Sequence, residues 1–273
     1  GVYYLQKAGV EAQTLIASEF QNYERVDEDT LVVAVSQSGE TRDTLDAIEY
    51  SRERGADIAA VVNTPHSSIE RESDATVHIE AGKEKCVAAT KTFTATVLAL
   101  IRLAEQLGYD ADVGAVAEKV RATIADNHAT VKELAGRFAD EDDMYIIGRG
   151  TTYPVAREIA LKLKEIPYIH AEGMMGGELK HGTLALIEDG TPVFALVPEA
   201  DGEIVSNVSE IEARGGEVIE ISPDRGRFDL PNGSDAYPIV ATTIGFLLAY
   251  ELGRERGLPI DKPRNLAKTV TVR

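Results

Sequence analysis

Four groups of residues in this chain have types and spacings that could do chemistry. The first is Ser36-Gln37-Ser38-Gly39-Glu40-Thr41, between an apolar run and a helical pattern. Hydroxyls at the end of a strand, a glycine that lets backbone approach closely, and a helix N-terminus behind them present donors to an anion such as phosphate. The plainer reading is an N-cap, with Ser38 or Thr41 capping. No lysine follows the glycine, so a nucleotide P-loop is disfavoured. The second is Glu165 with Lys162 three residues earlier, hence on one helical face, where the lysine holds the carboxylate ionised as a proton-transfer base. A surface ion pair has the same spacing. The third is Lys268, since an amine of lowered pKa condenses with a carbonyl. By position alone, a lysine near the chain end is a solvated charge. The fourth is His181, a near-neutral acid–base group. His66, His78, His128 and His170 read as structural or surface histidines.

These residues need a scaffold. Short β-branched runs alternate with longer helical patterns, which predicts a parallel α/β fold. The expected strands are 30–35, 58–62, 75–78, 144–147, 192–197 and 217–221, with further strands at Ala12–Leu15 and Ala236–Ile239. Helices are expected over 41–53, 88–107, 113–139, 153–164, 203–213 and 242–254. The two halves superpose as patterns: 30–35 on 192–197, 41–53 on 203–213, 58–62 on 217–221, and 88–107 on 242–254. Met144–Ile147 and the following Gly148–Thr152 loop have no counterpart before Gly1. A first domain that starts one strand late, in a shortened form of a longer protein, is therefore expected. If that absent strand is an interior one, its domain is the weaker half.

Composition narrows the class. The 273 residues include 46 acids against 28 bases, a net charge of −18, so a nucleic-acid or anionic-lipid partner is disfavoured. Acids scattered in pairs suit a high-salt, halophile-like interior, and the absence of a long apolar run or signal pattern suggests a cytoplasmic protein without a membrane partner. The single cysteine, Cys86, excludes an internal disulfide. Glu172, Glu178 and His181 have no recognised metal-ligand spacing, and Gly148-Arg149-Gly150 is too short to be a dinucleotide fingerprint. Neither a metal nor a cofactor is expected.

The serine loop, Val87-Ala88-Ala89-Thr90-Lys91, the run from Ala160 to Gly182 with Glu178-Leu179-Lys180-His181-Gly182, and the tail Pro263–Val272 occur in one order along the chain. With these motifs, nearly the whole chain resembles the isomerase region of the glutamine:fructose-6-phosphate amidotransferase family. The resemblance implies two sugar-isomerase (SIS) domains, each a three-layer α/β/α flavodoxin-like parallel sheet of five strands, the first lacking its first strand. The expected division is 1–110 for the first domain, 111–140 for a helical connector, 141–257 for the second domain and 258–273 for a tail carrying the active-site lysine.

By the same resemblance, Ser36, Gln37, Ser38 and Thr41 bind the sugar phosphate, and Val87, Ala89 and Ala267 line the pocket. Ala89 stands where the family usually has serine, so one sugar contact differs. Lys268 is implied to form the Schiff base with fructose 6-phosphate, Glu165 to carry the proton with Lys162 beside it, and His181 to open the sugar ring. That histidine is implied to act across a homodimer. The family's glutaminase domain begins with a catalytic cysteine, whereas residue 1 here is Gly1, so that domain is expected to be missing from this chain. Two alternatives stay open: a stand-alone amino-sugar-phosphate deaminase or deglycase, and a sugar-phosphate sensor, which would need the loop but not Lys268, Glu165 and His181 together.

Overall fold

A computed structural model describes residues 1–23, 25–198, 202–231 and 235–268. The chain divides into two compact units, Gly1–Asp110 with the segment from Asn265, and Ala111–Arg264.

The first unit runs α1 (Val2–Lys7), α2 (Phe20–Tyr23), β1 (Leu31–Ser36), α3 (Arg42–Arg52), β2 (Asp57–Val62), α4 (Ser68–Arg71), β3 (Ala75–His78) and α5 (Lys91–Gln106). Its strands form a parallel sheet in the order β1-β2-β3, with Leu31 opposite Asp57 and Ser36 opposite Val62. Parallel neighbours need a crossover, and the helices between them supply it. Ala34, Ile48, Ile58, Ala60, Val62 and Ile69 form the core where α3 and α4 cover the sheet. Each large aliphatic side chain buried there contributes roughly 1.5–3 kcal/mol.

The second unit runs α6 (Val116–Arg137), β4 (Asp143–Gly148), α7 (Tyr153–Glu165), β5 (His170–Met175), β6 (Pro192–Leu196), α8 (Gly202–Glu212), β7 (Glu217–Ile221) and α9 (Tyr237–Glu255). Its parallel sheet has the order β5-β4-β6-β7. Central β4 and β6 are buried almost throughout, as parallel strands covered on both faces must be. Tyr145, Ile147, Val193 and Ala195 pack against Ile204, Val208 and Ile211 of α8. On α6 and α9, His128 Nε2 lies 2.7 Å from Glu251 Oε1, a carboxylate with no exposed surface that also faces Arg254 at 3.2 Å. Helix α6, which sequence suggested as a polar-faced connector, packs along α9 within this unit.

Two expected strands are corrected. Ala12–Leu15 is irregular, because no strand among the described residues pairs with it, and the Ala12 carbonyl accepts from Gln6 Nε2 at 3.1 Å instead. Ala236–Ile239 opens helix α9, with Ala236 at its N-cap and a proline in its first turn. That helix is buried nearly all round, and an apolar run buried on every side has no period to separate strand from helix. Strand β5 was not anticipated, since His170 and Glu172 interrupt its apolar pattern and Gly173 lowers its strand propensity. The sheets have three and four strands among the described residues, fewer than the five implied by resemblance. Among the described residues, strand β1 pairs with β2 alone, whereas its repeat counterpart β6 has β4 on the other side. Among the described residues, no helix is long and apolar enough to cross a membrane.

Candidate active site

In the first unit, β1 ends at buried Ser36 and hands the chain to a loop closed by its own hydroxyls. Ser36 Oγ accepts the Gly39 amide at 3.1 Å and bonds Thr41 Oγ1 at 2.9 Å, and Ser38 Oγ accepts the Glu40 amide at 3.2 Å. Gly39 has φ +67°, and a Cβ there would stand 2.1 Å from Ser67 Oγ, so only glycine lets the loop pass α4. Thr41 is the N-cap of α3 but makes no side-chain cap, its hydroxyl being turned to Ser36. The simple N-cap reading fails at this residue. Gln37 anchors the loop to β2 through its carbonyl, which accepts the Asn63 amide at 3.3 Å. Glu40 accepts from the hydroxyl and amide of Ser68 at 2.7 and 2.8 Å, chiefly the hydroxyl bond holding its carboxyl below its usual range.

The same unit holds Lys268. Its Nζ donates to the carbonyl of Cys86 at 2.7 Å and lies 3.4 Å from that of Val87. Lys268 and Val87 are half-buried, as is Ala89, whereas Ala267 is exposed. Buried Glu84 organises this loop by accepting the amides of Thr90 and Thr92 at 3.1 and 3.2 Å and the Thr92 hydroxyl at 2.8 Å. It thereby caps α5, whose N-cap Thr90 makes no side-chain cap. Burial pushes the Glu84 carboxyl up, but the Thr92 and Thr90 bonds and the Lys268 charge outweigh it, and the net direction is down. Thr269–Val272, the rest of the tail motif, lie outside the described residues.

In the second unit, the catalytic candidates Lys162 and Glu165 sit on α7. Lys162 is only 3% exposed at its side chain and donates to the carboxylate of Glu165, while Glu158 Oε1 lies 3.3 Å from the same ammonium. A buried ammonium needs such partners, because its desolvation is otherwise very unfavourable. The surface-pair reading therefore does not fit Lys162. Burial raises Glu158 to about 7, Lys162 opposing and Glu165 reinforcing the shift. The helix is seated by Gly173 of β5, where a Cβ would meet Ala156 O at 2.4 Å and Arg157 Cα at 2.5 Å. His181 is exposed at the end of the 3-10 turn Gly176–His181.

The description "SIS domain" belongs to a family model that matches residues 9–105 and 137–224, more than half the chain and once in each unit. The chain belongs to the SIS domain family. The SIS-domain chain is 43% identical, over 94% of its length, to glutamine–fructose-6-phosphate aminotransferase [isomerizing] from Pyrobaculum aerophilum, covering 46% of that protein. The equally named protein of Halobacterium salinarum is 42% identical over 94% of this chain and 46% of its own length. The chain thus spans about half the length of these relatives. Among solved structures, the C-terminal domain of glucosamine-fructose-6-phosphate aminotransferase from Francisella tularensis superposes with a TM-score of 0.86 at 35% identity, covering 96% of this chain and 82% of that one. A glucosamine-6-phosphate deaminase from Thermotoga maritima shares the fold, with a TM-score of 0.84 at 24% identity over 98% of this chain and 84% of that one.

Within the SIS-domain chain, each unit brings some of the expected residues together. Ser36, Ser38 and Thr41 form one hydroxyl-lined loop, Lys268 meets the Cys86–Val87 segment, and Lys162 meets Glu165. Sequence reasoning missed Glu84 and Glu158. Glu158 had a readable signal, four residues before Lys162 on one face. Glu84 had none, because its partners lie across an irregular loop.

Proposed function

We propose that this chain performs the isomerase chemistry of glucosamine 6-phosphate synthesis, converting fructose 6-phosphate and ammonia to glucosamine 6-phosphate. The observation that carries this reading is Lys268, a half-buried amine held at 2.7 Å on the Cys86 carbonyl in a SIS domain. Ser36, Gln37, Ser38 and Thr41 hold the phosphate through hydroxyls and the first amides of α3. Val87, Ala89 and Ala267 border the sugar. His181, from the neighbouring subunit of a homodimer, assists ring opening. The Lys268 amine condenses with the C2 carbonyl and water leaves. Ammonia then displaces the lysine, and Glu165, steadied by Lys162, takes a proton from C1 and returns one to C2. A glutaminase domain supplies the ammonia in the cytoplasm. The domain division is 1–110, the connector 111–140, then 141–257 and the tail 258–273.

The test is the product formed from fructose 6-phosphate plus ammonium, assayed for both glucose 6-phosphate and glucosamine 6-phosphate. Either product is expected, with glucosamine 6-phosphate lost in Lys268→Ala and turnover lowered about 10²–10⁴-fold in Glu165→Gln. Ammonia release from glucosamine 6-phosphate without any forward product would favour the deaminase reading, and ligand binding without turnover would favour the sensor.

A further inference from the structure

Glu158 takes no part in the chemistry described above, yet it shares a cation with the proposed base. The ammonium of Lys162 lies 3.3 Å from Glu158 Oε1 and donates to Glu165, and the side chains of Glu158, Lys162 and Glu165 are 12%, 3% and 21% exposed. Two carboxylates and one ammonium in a largely buried cluster carry one uncompensated negative charge, and burial makes that charge unfavourable. A single proton on Glu158 removes it.

We propose that Glu158 is a positioning residue that sets the basicity of Glu165 through the ammonium they share. With Glu158 protonated, the Lys162 ammonium is paired with Glu165 alone. With Glu158 ionised, the lysine is divided between two carboxylates and the added negative charge strengthens Glu165 as a base. Glu158 exchanges its proton with solvent, and the substrate proton moves only on Glu165. The inference rests on the reading of Glu165 as the base.

The switch falls in a useful range, since burial places Glu158 at about 7. The charges acting on it, Lys162 and Glu165, come from its own helix. Helix α7 packs on β4, β5 and α9, where Asp143, Glu172 and Glu251 have other neighbours. Asp143 bonds His170 at 2.8 Å, Glu251 bonds His128 and faces Arg254, and Glu172 acts on the Tyr145 phenol.

The experiment is the pH dependence of turnover with fructose 6-phosphate for the wild-type chain, Glu158→Gln and Glu158→Asp, with 13C-carboxyl NMR titration of the same proteins. The wild type is expected to show a limb centred near 7, with turnover rising about threefold to the alkaline side. Glu158→Gln should lose the limb with KM unchanged, and Glu158→Asp should restore it. The Glu165 carboxyl carbon should shift with the same midpoint in the wild type and stay flat in Glu158→Gln. A limb that persists in Glu158→Gln, or a uniform loss of turnover at every pH, would overturn the proposal. If the wild type does not turn over, the function proposed above fails, and the NMR titration still decides the coupling. No Glu165 shift near 7 in the wild type would overturn the inference, even if Glu158→Gln does not fold.

Discussion

At the residue scale, the buried charges of Glu84, Lys162 and Glu251 are each met by several donors or by a counter-charge. Glu84 is the clearest case, with three donors from Thr90 and Thr92 and the charge of Lys268 nearby. Its folded pKa lies below the ordinary 4.5, so its stabilisation is fully present above 4.5 and is lost as pH falls through the folded value. Acid unfolding of the first unit, followed by circular dichroism, should therefore lose part of its pH dependence below about 4.5 in Glu84→Gln. Glu84→Ala leaves buried amides without their acceptor and should cost about 1–3 kcal/mol at neutral pH. Unchanged acid unfolding in Glu84→Gln would show that this carboxylate is not coupled to folding. The contrast with Glu158 is instructive: there burial wins over a single ammonium shared with Glu165, and the shift is upward.

At the element scale, strand β5 determines where α7 can lie. Gly173 lets the helix backbone come so close that a methyl group would stand 2.4 Å from Ala156 O, and backbone cannot swing aside as a side chain can. Gly173→Ala should therefore displace α7 and cost about 1–3 kcal/mol. Because α7 carries Lys162 and Glu165, turnover should fall by about tenfold or more while the Ser36–Thr41 loop of the other unit, proposed above to hold the phosphate, keeps its affinity for inorganic phosphate. Thermal unfolding and steady-state kinetics of the variant check both halves of this expectation. A variant of normal turnover would mean that helix placement is not limiting. Strand β1 shows the reverse situation, an edge with Leu31 61% and Val35 45% exposed and no second neighbour among the described residues.

At the scale of the whole molecule, the net charge of −18 is the dominant feature. Self-repulsion among like charges opposes compaction, and at molar salt the screening length is only about 3 Å. Raising potassium chloride from low to molar concentration should raise the thermal midpoint on the order of 5 °C, the equivalent of roughly 2 kcal/mol for a chain of this size. A midpoint that stays level or falls with salt would show that specific ion pairs outweigh the general repulsion. The two compact units also make two unfolding transitions a natural outcome, which calorimetry across the same salt series would resolve.

The sequence by itself determined whatever is written locally along the chain. Strand, hydroxyl loop and helix follow one another within a few residues at Ser36–Thr41, and Lys162 and Glu165 share a helix face by spacing alone. The repeat of two α/β halves was legible for the same reason, since each half contains its own alternation of periods. Tertiary structure alone decided what depends on distant partners. Ala236–Ile239 became helix because its surroundings bury every face, and Ala12–Leu15 remained irregular because a strand needs a neighbour. Lys268 meets a carbonyl 182 residues earlier in the chain, and His128 meets Glu251 123 residues later. Hydrogen bonds and burial act through space, and only the folded chain sets which groups that space brings together.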